Sequence, residues 1–499
     1  MTTVPTASGL SYLVISGGTG ANSFASAFGR APAFVLPVSD DGGSSAEILR
    51  CFGGPSIGDI RSRLIRLIPL PPKGQEESEA DVERRAIYNL MAHRFPADAP
   101  ESVVRERWEE IVEGRGELWN GVGEDKKECI RAFLVHFQTL CLRRAHKRFS
   151  FRNFSLGNGF LTGARDLFSN LPSAIFLFKS VGGVNEGAQV IPVINTNRKY
   201  LNKTITIAVQ LENQSTIVGQ CNISHPTPSS NPLLRHNAGG VPVVPVPING
   251  GARRHGTRRD SRTFDTAESA LATPERGTTP LLPGEEREDS GGNLAYTKGM
   301  KEVPLESRIE RLFYINLYGQ VSVLTLRSTD VQEIFPEPNT DFYNALDKRD
   351  VLVYSCGSLW TSIVPCIALR GLGTSIAQSK SLKAKVVLLN SVNDRETGDY
   401  TAMDYIDTIA NMLRHYDVPV PLRASFGEGV PWETRSFITH VAYLEGGKVP
   451  VDEKAIRERG INVIRIPAAI HQTPEGKTPL FKSSTVSWAM DRVVEDIGH

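Results

Sequence analysis

Long apolar runs are missing from this chain of 499 residues. None approaches the ~18–20 consecutive residues that cross a bilayer. The opening MTTVPTASGL lacks the basic stretch and apolar core of a secretory leader, so the expectation is a cytoplasmic protein without a membrane partner. An excess of one charge is missing too. The chain carries 56 basic and 55 acidic residues, a formal +1, which gives no global attraction to nucleic acid or to an anionic surface. Cysteines stand at 51, 129, 141, 221, 356 and 366 with no CxxC pair and no metal-ligand rhythm, which points to reduced thiols. The histidines show no HExxH spacing, so none is assigned to zinc or to acid–base work. No nucleophile elbow is assigned, so covalent acyl chemistry has no support, and no Gly-Lys-Ser/Thr follows the first glycine turn to make it a Walker A loop.

What is present reads as a folded α/β chain, with a 40% hydrophobic and 22% charged composition that excludes a wholly disordered or fibrous protein. Tyr12-Leu13-Val14-Ile15 is a buried strand, followed by Ser16-Gly17-Gly18-Thr19-Gly20. Ala21, Phe24, Ala25 and Phe28 then form the stripe of a helix packed on a sheet. Phe34–Val38 is the second strand. Glu77–His93, Glu101–Glu113 and the stripe Ile130–Cys141 predict a helical insertion spanning 70–150. Thr204–Val209, a turn at Asn213-Gln214 and Thr216–Val218 predict a β-hairpin. Residues 225–306 turn abruptly to Pro, Gly, Ser and Arg, including the run Arg253–Arg262, and predict a disordered tether. Strands resume at Asp350–Tyr354, Ala384–Leu389, Phe437–Ala442 and Val463–Ile466. The expected architecture is a Rossmann-like, mainly parallel sheet flanked by helices in three layers. One discontinuous domain covers 10–224 and 307–470, with a C-terminal tail or helix over 471–499.

Two glycine-rich loops carry the chemistry. Gly17, Gly18, Thr19 and Gly20 sit between a strand and a helix, where a bare backbone approaches an anion closely. Gly18 and Gly20 match part of the dinucleotide fingerprint, with Ser23 in place of its third glycine and Asp40 about twenty residues on, so an NAD enzyme stays open as an alternative. In the second loop, Asp40 and Asp41 precede Gly42, Gly43, Ser44 and Ser45 at the carboxyl end of a strand. Paired carboxylates facing a phosphate repel it unless a hard cation such as Mg²⁺ bridges them. Asp59 adds a third carboxylate, and Arg61 a guanidinium able to clamp a phosphate. Arg50, Arg63 and Arg66 read as surface or supporting residues. Gly357, Ser358, Thr361 and Ser362 follow a later strand and offer donors to an oxygen-rich ligand, with helix capping as the plainer reading.

The motifs SGGTG (16–20), SDDGGSS (39–45), GDIR (58–61), FSLGN (154–158), CGSLWTSIVP (356–365) and NSVNDRETGDYTAMDY (390–405) together resemble the CofD/YvcK family, in the family's order. That family contains 2-phospho-L-lactate transferases and bacterial gluconeogenesis factors. The resemblance implies a nucleotide-diphosphate ligand, GDP- or UDP-linked, and transfer of a phospho-linked group to a hydroxyl with Mg²⁺. The alternative it implies is a non-catalytic nucleotide-sugar-binding regulator, and in either case a homodimer. Gly17–Gly20 would approach the diphosphate, and Asp59 with Asp40 or Asp41 would act as catalytic groups, Asp59 and Asp40 holding the metal. Asn158 would lie beside the nucleotide, with Gly357, Ser358 and Thr361 lining the facing loop. The Asp-Asp-Gly-Gly-Ser-Ser loop is of the gluconeogenesis-factor type. Phe154 replaces that branch's usual His and Cys356 its usual Pro, and the insertions resemble those of a eukaryotic, fungal-type member.

Overall fold

The computed structural model describes residues 9–72, 74, 76–196, 204–225, 304–317, 333–418, 432–474 and 476–498. The tether expected over 225–306 lies outside these residues apart from its ends.

Seven strands form one sheet: β1 (Tyr12–Ile15), β2 (Ala33–Leu36), β3 (Gln189–Pro192) and, after four strands of a second sheet, β8 (Val351–Tyr354), β9 (Ala384–Leu388), β10 (His440–Leu444) and β11 (Asn462–Ile466). Their order is β11-β10-β9-β8-β1-β2-β3, and every neighbouring pair is parallel. β1, β2, β8 and β9 are buried along their whole length, as continuous apolar runs demand of strands covered on both faces. Leu13, Ile15, Val35, Leu352 and Tyr354 face a core shared with Ile406, Ile409 and Leu413. Tyr12, Val14, Phe34, Val351 and Val353 face the opposite core, shared with Phe24, Phe28, Val486 and Met490. These are the expected three layers.

The chain builds outward from β1 toward β3, then returns to the other side of β1 with β8. Strand order therefore reverses between β1 and β8. In open α/β sheets such a reversal leaves a crevice at the carboxyl ends of the strands, where ligands bind.

The expected hairpin is half of a larger unit. β4 (Thr204–Leu211), β5 (Thr216–Val218), β6 (Ile309–Leu317) and β7 (Glu333–Ile334) form an antiparallel sheet ordered β5-β4-β6-β7. Its residues Ile205, Ile207, Val209 and Tyr314 share the first core. β6 lies about a hundred residues beyond β4, so no local turn signal joins them.

Between β2 and β3 run α1 (Gly43–Phe52), α2 (Gly58–Arg66), α3 (Glu79–Ala92), α4 (Glu101–Val112), α5 (Glu124–Arg143), α6 (Leu156–Phe168) and α7 (Leu171–Gly182). α3 begins at a Ser78–Asp81 capping box. The insertion has its own aromatic core. Phe154 is 1% exposed, stacks on Phe137 at 5.1 Å and meets Trp108 edge-on at 5.8 Å. An apolar ring suits this setting, because a histidine there would bury two polar nitrogens among hydrocarbon.

The helix expected after β1 is a 3-10 segment, Asn22–Phe28, broken at Phe24 (φ −134°, ψ 16°). The Ala21 carbonyl accepts the Phe24 N–H at 3.4 Å, a 3-10 bond, and guanidiniums reach the carbonyls of the segment's first turn. Arg63 donates to the oxygen of Ala21 at 3.3 Å and Arg66 to that of Asn22 at 2.6 Å. The second strand stops at Leu36 rather than Val38, since Pro37 has no N–H for the ladder. The strand expected at Phe437–Ala442 is shifted to His440–Leu444, after a 3-10 turn at Thr434–Ser436.

Phe154→Ala should lower the unfolding free energy by about 3–5 kcal/mol, the ordinary cost of emptying an aromatic site in a packed core. Denaturant unfolding checks this, and a change below about 1 kcal/mol would mean that the insertion does not depend on that cluster.

Candidate functional site

Three loops leave the carboxyl ends of β1, β2 and β8 and meet. The turn after β1 buries Gly17 and Gly18 and exposes Thr19 and Gly20. A Cβ on Gly18 would lie 2.6 Å from the Cα of Asp59, and one on Gly17 would lie 2.9 Å from the Cβ of Ser362. Only glycine lets the first turn of α2 sit this close to the loop. Gly20 faces the loop after β8 in the same way, with the Cys356 carbonyl 2.9 Å from where its Cβ would be.

Asp40 ends the extension of β2. One carboxylate oxygen accepts the Gly42 N–H at 3.0 Å, the other the Ser45 hydroxyl at 2.7 Å. A Cβ on Gly58 would collide with that carboxylate and with the Ser45 hydroxyl, so α1 and α2 begin side by side around Asp40. Neither helix, nor α6, has a side-chain hydrogen bond at its N-cap. The first N–H of α6 donates to the His93 carbonyl at 3.1 Å and that of α2 reaches the Ser56 hydroxyl at 3.5 Å; N–H groups left over at such helix starts attract anions. α6 joins them through Asn158, which is 1% exposed and donates to the Ser44 hydroxyl at 2.7 Å. The side-chain amide oxygen of Asn158 and the Ser155 hydroxyl are buried without a partner.

Crowding decides the electrostatics. Burial raises the Asp59 carboxyl to about 7, helped by the charge of Asp40 and opposed by the Gly18 N–H, Arg63 and Arg61. Burial also raises Asp40, against bonds from Ser45 and Gly42 and the charges of Arg94 and Arg61. Asp41 rises to about 6, again through burial. Its carboxylate points to the short helix α8 (Gln220–Ser224), where it accepts the Cys221 N–H at 2.8 Å. Asp40 and Asp59 therefore form a close pair beside the glycine loop, and Asp41 is tied elsewhere.

Of the other expected residues, Arg61 is 7% exposed and packs against Gly157 at the start of α6. Gly43 opens α1 at φ 48°. Gly357 exchanges two hydrogen bonds with Asn390, at 2.9 and 2.8 Å. The Ser358 carbonyl accepts the Ser362 N–H at 3.0 Å. The Thr361 hydroxyl is buried and donates to Glu396 at 2.6 Å.

Sequence reasoning missed several participants. Arg63 lies fully buried beneath the glycine turn, donating to Ser16, Gly17 and Ala21 while stacking 4.5 Å over Phe34. Its position four residues after Asp59, on the same helix face, was the signal available. Asn390 and Glu396 lie inside a motif already singled out. Arg94 had no local signal: it reaches Asn153 and bridges Ser155, with α4 and α5 lying between them in sequence.

Among the described residues, no three His, Cys, Asp or Glu side chains converge as a metal cluster. A pair of carboxylates is nonetheless a fitting donor set for Mg²⁺, which keeps several waters and takes further oxygens from phosphates. Asp40 and Asp59 carry a charge repulsion that such an ion relieves. No single helix among the described residues is long and apolar enough to cross a membrane.

Fold and site together define a Rossmann-like α/β protein with an acidic pair at the switch point of its sheet. The family model described as 2-phospho-L-lactate transferase CofD matches residues 13–468, and the chain belongs to that family. It is 32% identical over 471 residues to the uncharacterized protein YNL011C of Saccharomyces cerevisiae, covering 92% of this chain and 95% of the yeast protein. Two crystal structures of protein BH3568 from Bacillus halodurans, one described as a member of the UPF0052 family, share the fold. They superpose with TM-scores of 0.52 and 0.51 at 16% and 18% identity, each covering 96% of this chain and 98% of the bacterial one.

A carboxyl raised by folding favours the protonated state, so its contribution is intact at low pH and lost as pH climbs from ~4 toward the folded value. For Asp59 that window ends at about 7. Asp59→Asn should therefore raise the melting temperature at pH 8, by on the order of 2–5 °C, and leave it unchanged at pH 4. Scanning fluorimetry of both proteins across that range checks it, and an equal shift at both pH values would contradict it.

Proposed function

We propose that this protein is a CofD-type transferase that binds a nucleoside-diphosphate-linked donor and moves its phospho-linked group onto a hydroxyl acceptor. The observation that carries the reading is the contact of Gly18 with Asp59. It sets an anion-accepting turn against a carboxylate pair, within a ring of uncapped helix starts. The diphosphate lies along Gly17–Gly20 and the first turns of α1 and α2, with Arg61 countering its charge and Asn158 beside the nucleotide. Asp40 and Asp59 hold Mg²⁺. When bound, the ion would neutralise charge on the phosphates and relieve the repulsion between the two carboxylates.

The chemistry asked of the chain is positioning and charge stabilisation. The acceptor oxygen forms a new P–O bond to the phosphorus that bears the transferred group. The P–O bond to the nucleoside monophosphate breaks, and the monophosphate leaves. The hydroxyl proton passes to a carboxylate oxygen of the acidic pair. Backbone N–H groups receive the charge on the phosphoryl oxygens.

Calorimetry with GDP, UDP and their sugar conjugates, with and without Mg²⁺, tests the binding. One base series should bind in a Mg²⁺-dependent way, and Asp59→Asn should weaken it at least tenfold. Chromatography then asks for released nucleoside monophosphate in the presence of hydroxyl acceptors. Tight binding without release would point to a regulatory nucleotide-sugar binder. Absence of Mg²⁺-dependent binding to any nucleoside diphosphate would overturn the reading.

A further inference from the structure

Glu396 is the one carboxylate of the NDRETGD stretch that sits wholly inside the protein. It is 3% exposed and lies in the loop after β9. One of its oxygens accepts the Thr361 hydroxyl and the Ser224 hydroxyl, both at 2.6 Å; the other accepts the Trp360 N–H at 3.0 Å. The Ser224 and Thr361 hydroxyl oxygens also lie 3.0 Å apart. All three partners are neutral, and none of the ion pairs among the described residues includes Glu396. Burial, with the charge of Asp394 behind it, lifts this carboxyl to about 7. The loop that carries it is rigid in its own right. Asp394 accepts the N–H groups of Glu396 and Thr397 at 3.0 and 3.1 Å and the Thr397 hydroxyl at 2.9 Å.

The partners of Glu396 lead to the glycine loop and to Asp41. Thr361 adjoins Ser362, the residue on which Gly17 rests. Ser224 is the last residue of α8, whose Cys221 N–H holds Asp41. A Cβ on Gly219, just before α8, would meet the same Asp41 carboxylate at 2.5 Å. Arg395 reinforces the joint by donating to the Asn222 carbonyl at 2.9 Å. One buried carboxyl thus ties the turn beneath the glycine loop to the helix that anchors Asp41.

We propose that Glu396 is a positioning residue: by hydrogen bonding alone it fixes Ser362 under Gly17 and α8 against Asp41, so that the polyanion site is assembled before ligand arrives. The positioning is independent of which ligand binds. Its consequence for affinity rests on the transferase reading above. Charge is not required, because a glutamine can accept the Trp360 N–H with its oxygen and donate its amide hydrogens to Thr361 and Ser224. An alanine removes the acceptor shared by three buried donors and leaves the Trp360 N–H and the Thr361 hydroxyl unpaired, which such networks tolerate poorly.

The test compares the full-length wild type with Glu396→Gln, Glu396→Ala and Ser224→Ala. Alkylation of Cys221 by N-ethylmaleimide, followed by peptide mass spectrometry, reports on α8 without any ligand, and Cys129 in the distant insertion serves as the internal reference. Cys221 should react at least fivefold faster than in the wild type in Glu396→Ala and in Ser224→Ala, and within about twofold of it in Glu396→Gln. Cys129 should not change. Should Glu396→Ala fail to fold, Ser224→Ala, which removes one hydroxyl and leaves the Thr361 and Trp360 bonds to Glu396 in place, carries the same comparison. If the wild type binds a nucleoside diphosphate, Glu396→Ala should lose at least tenfold in affinity and Glu396→Gln no more than about threefold. Unchanged Cys221 reactivity in both Glu396→Ala and Ser224→Ala, or a glutamine variant as impaired as the alanine one, would overturn the proposal. A wild type that binds no nucleotide would defeat the transferase reading and leave the alkylation result to judge Glu396 alone.

Discussion

The approach of two backbones governs this site. The turn after β1 rests on the start of α2, with no side chain between Gly18 and Asp59. From that contact the rest follows. Arg63, one turn along α2, is carried under the glycine loop, where Ser16, Gly17 and Ala21 accept its donors. The first turn of α2 also brings Gly58 against Asp40, so the loop after β2 is drawn into the same crevice. A methyl group at either glycine would separate elements that the sheet topology has brought to the switch point.

Such closeness has a cost. Three carboxyls are raised by burial at one edge of the sheet, and without a cation Asp40 and Asp59 oppose each other's ionisation. Rigid surroundings offset this. Arg63 is itself held with its guanidinium over Phe34, and Arg165, fully enclosed, ties the carbonyls of Gly53 and Pro55 just before α2. On the proposed reading, Mg²⁺ and a diphosphate would relieve this repulsion and so couple the stability of the site to ligand binding. This matches the trade between stability and function expected of a preorganised binding site.

Much of this was legible in the residues. β1, β8 and β9 could be placed to within a residue because their apolar runs are short, β-branched and bounded by Gly, Ser or Asn. The insertion helices were equally clear from their stripes. Legibility failed where distant parts of the chain intervene. The segment after β1 has a helical stripe, yet guanidiniums from α2 reach its carbonyls. The hairpin is real, but β6 reaches it from the far side of a long insertion. Asp41 stands next to Asp40 in sequence and reads as its partner, whereas alternation along an extended backbone sends neighbouring side chains to opposite sides, one to α1 and one to α8. Glu396 was hidden for the opposite reason. A carboxylate in a polar, glycine-containing loop reads as solvent-exposed, and only the fold encloses it.

The central claim is that the glycine loop and the acidic pair serve one polyanion through one divalent ion. Replacing Mg²⁺ by Mn²⁺ and recording the ³¹P resonances of GDP or UDP bound to the wild-type protein tests it most directly. The account predicts that both phosphorus lines broaden strongly on adding Mn²⁺, and that the broadening disappears in Gly58→Ala, whose methyl group would displace Asp40. Sharp phosphorus lines from a nucleotide bound together with Mn²⁺ would place metal and diphosphate apart, and would contradict it.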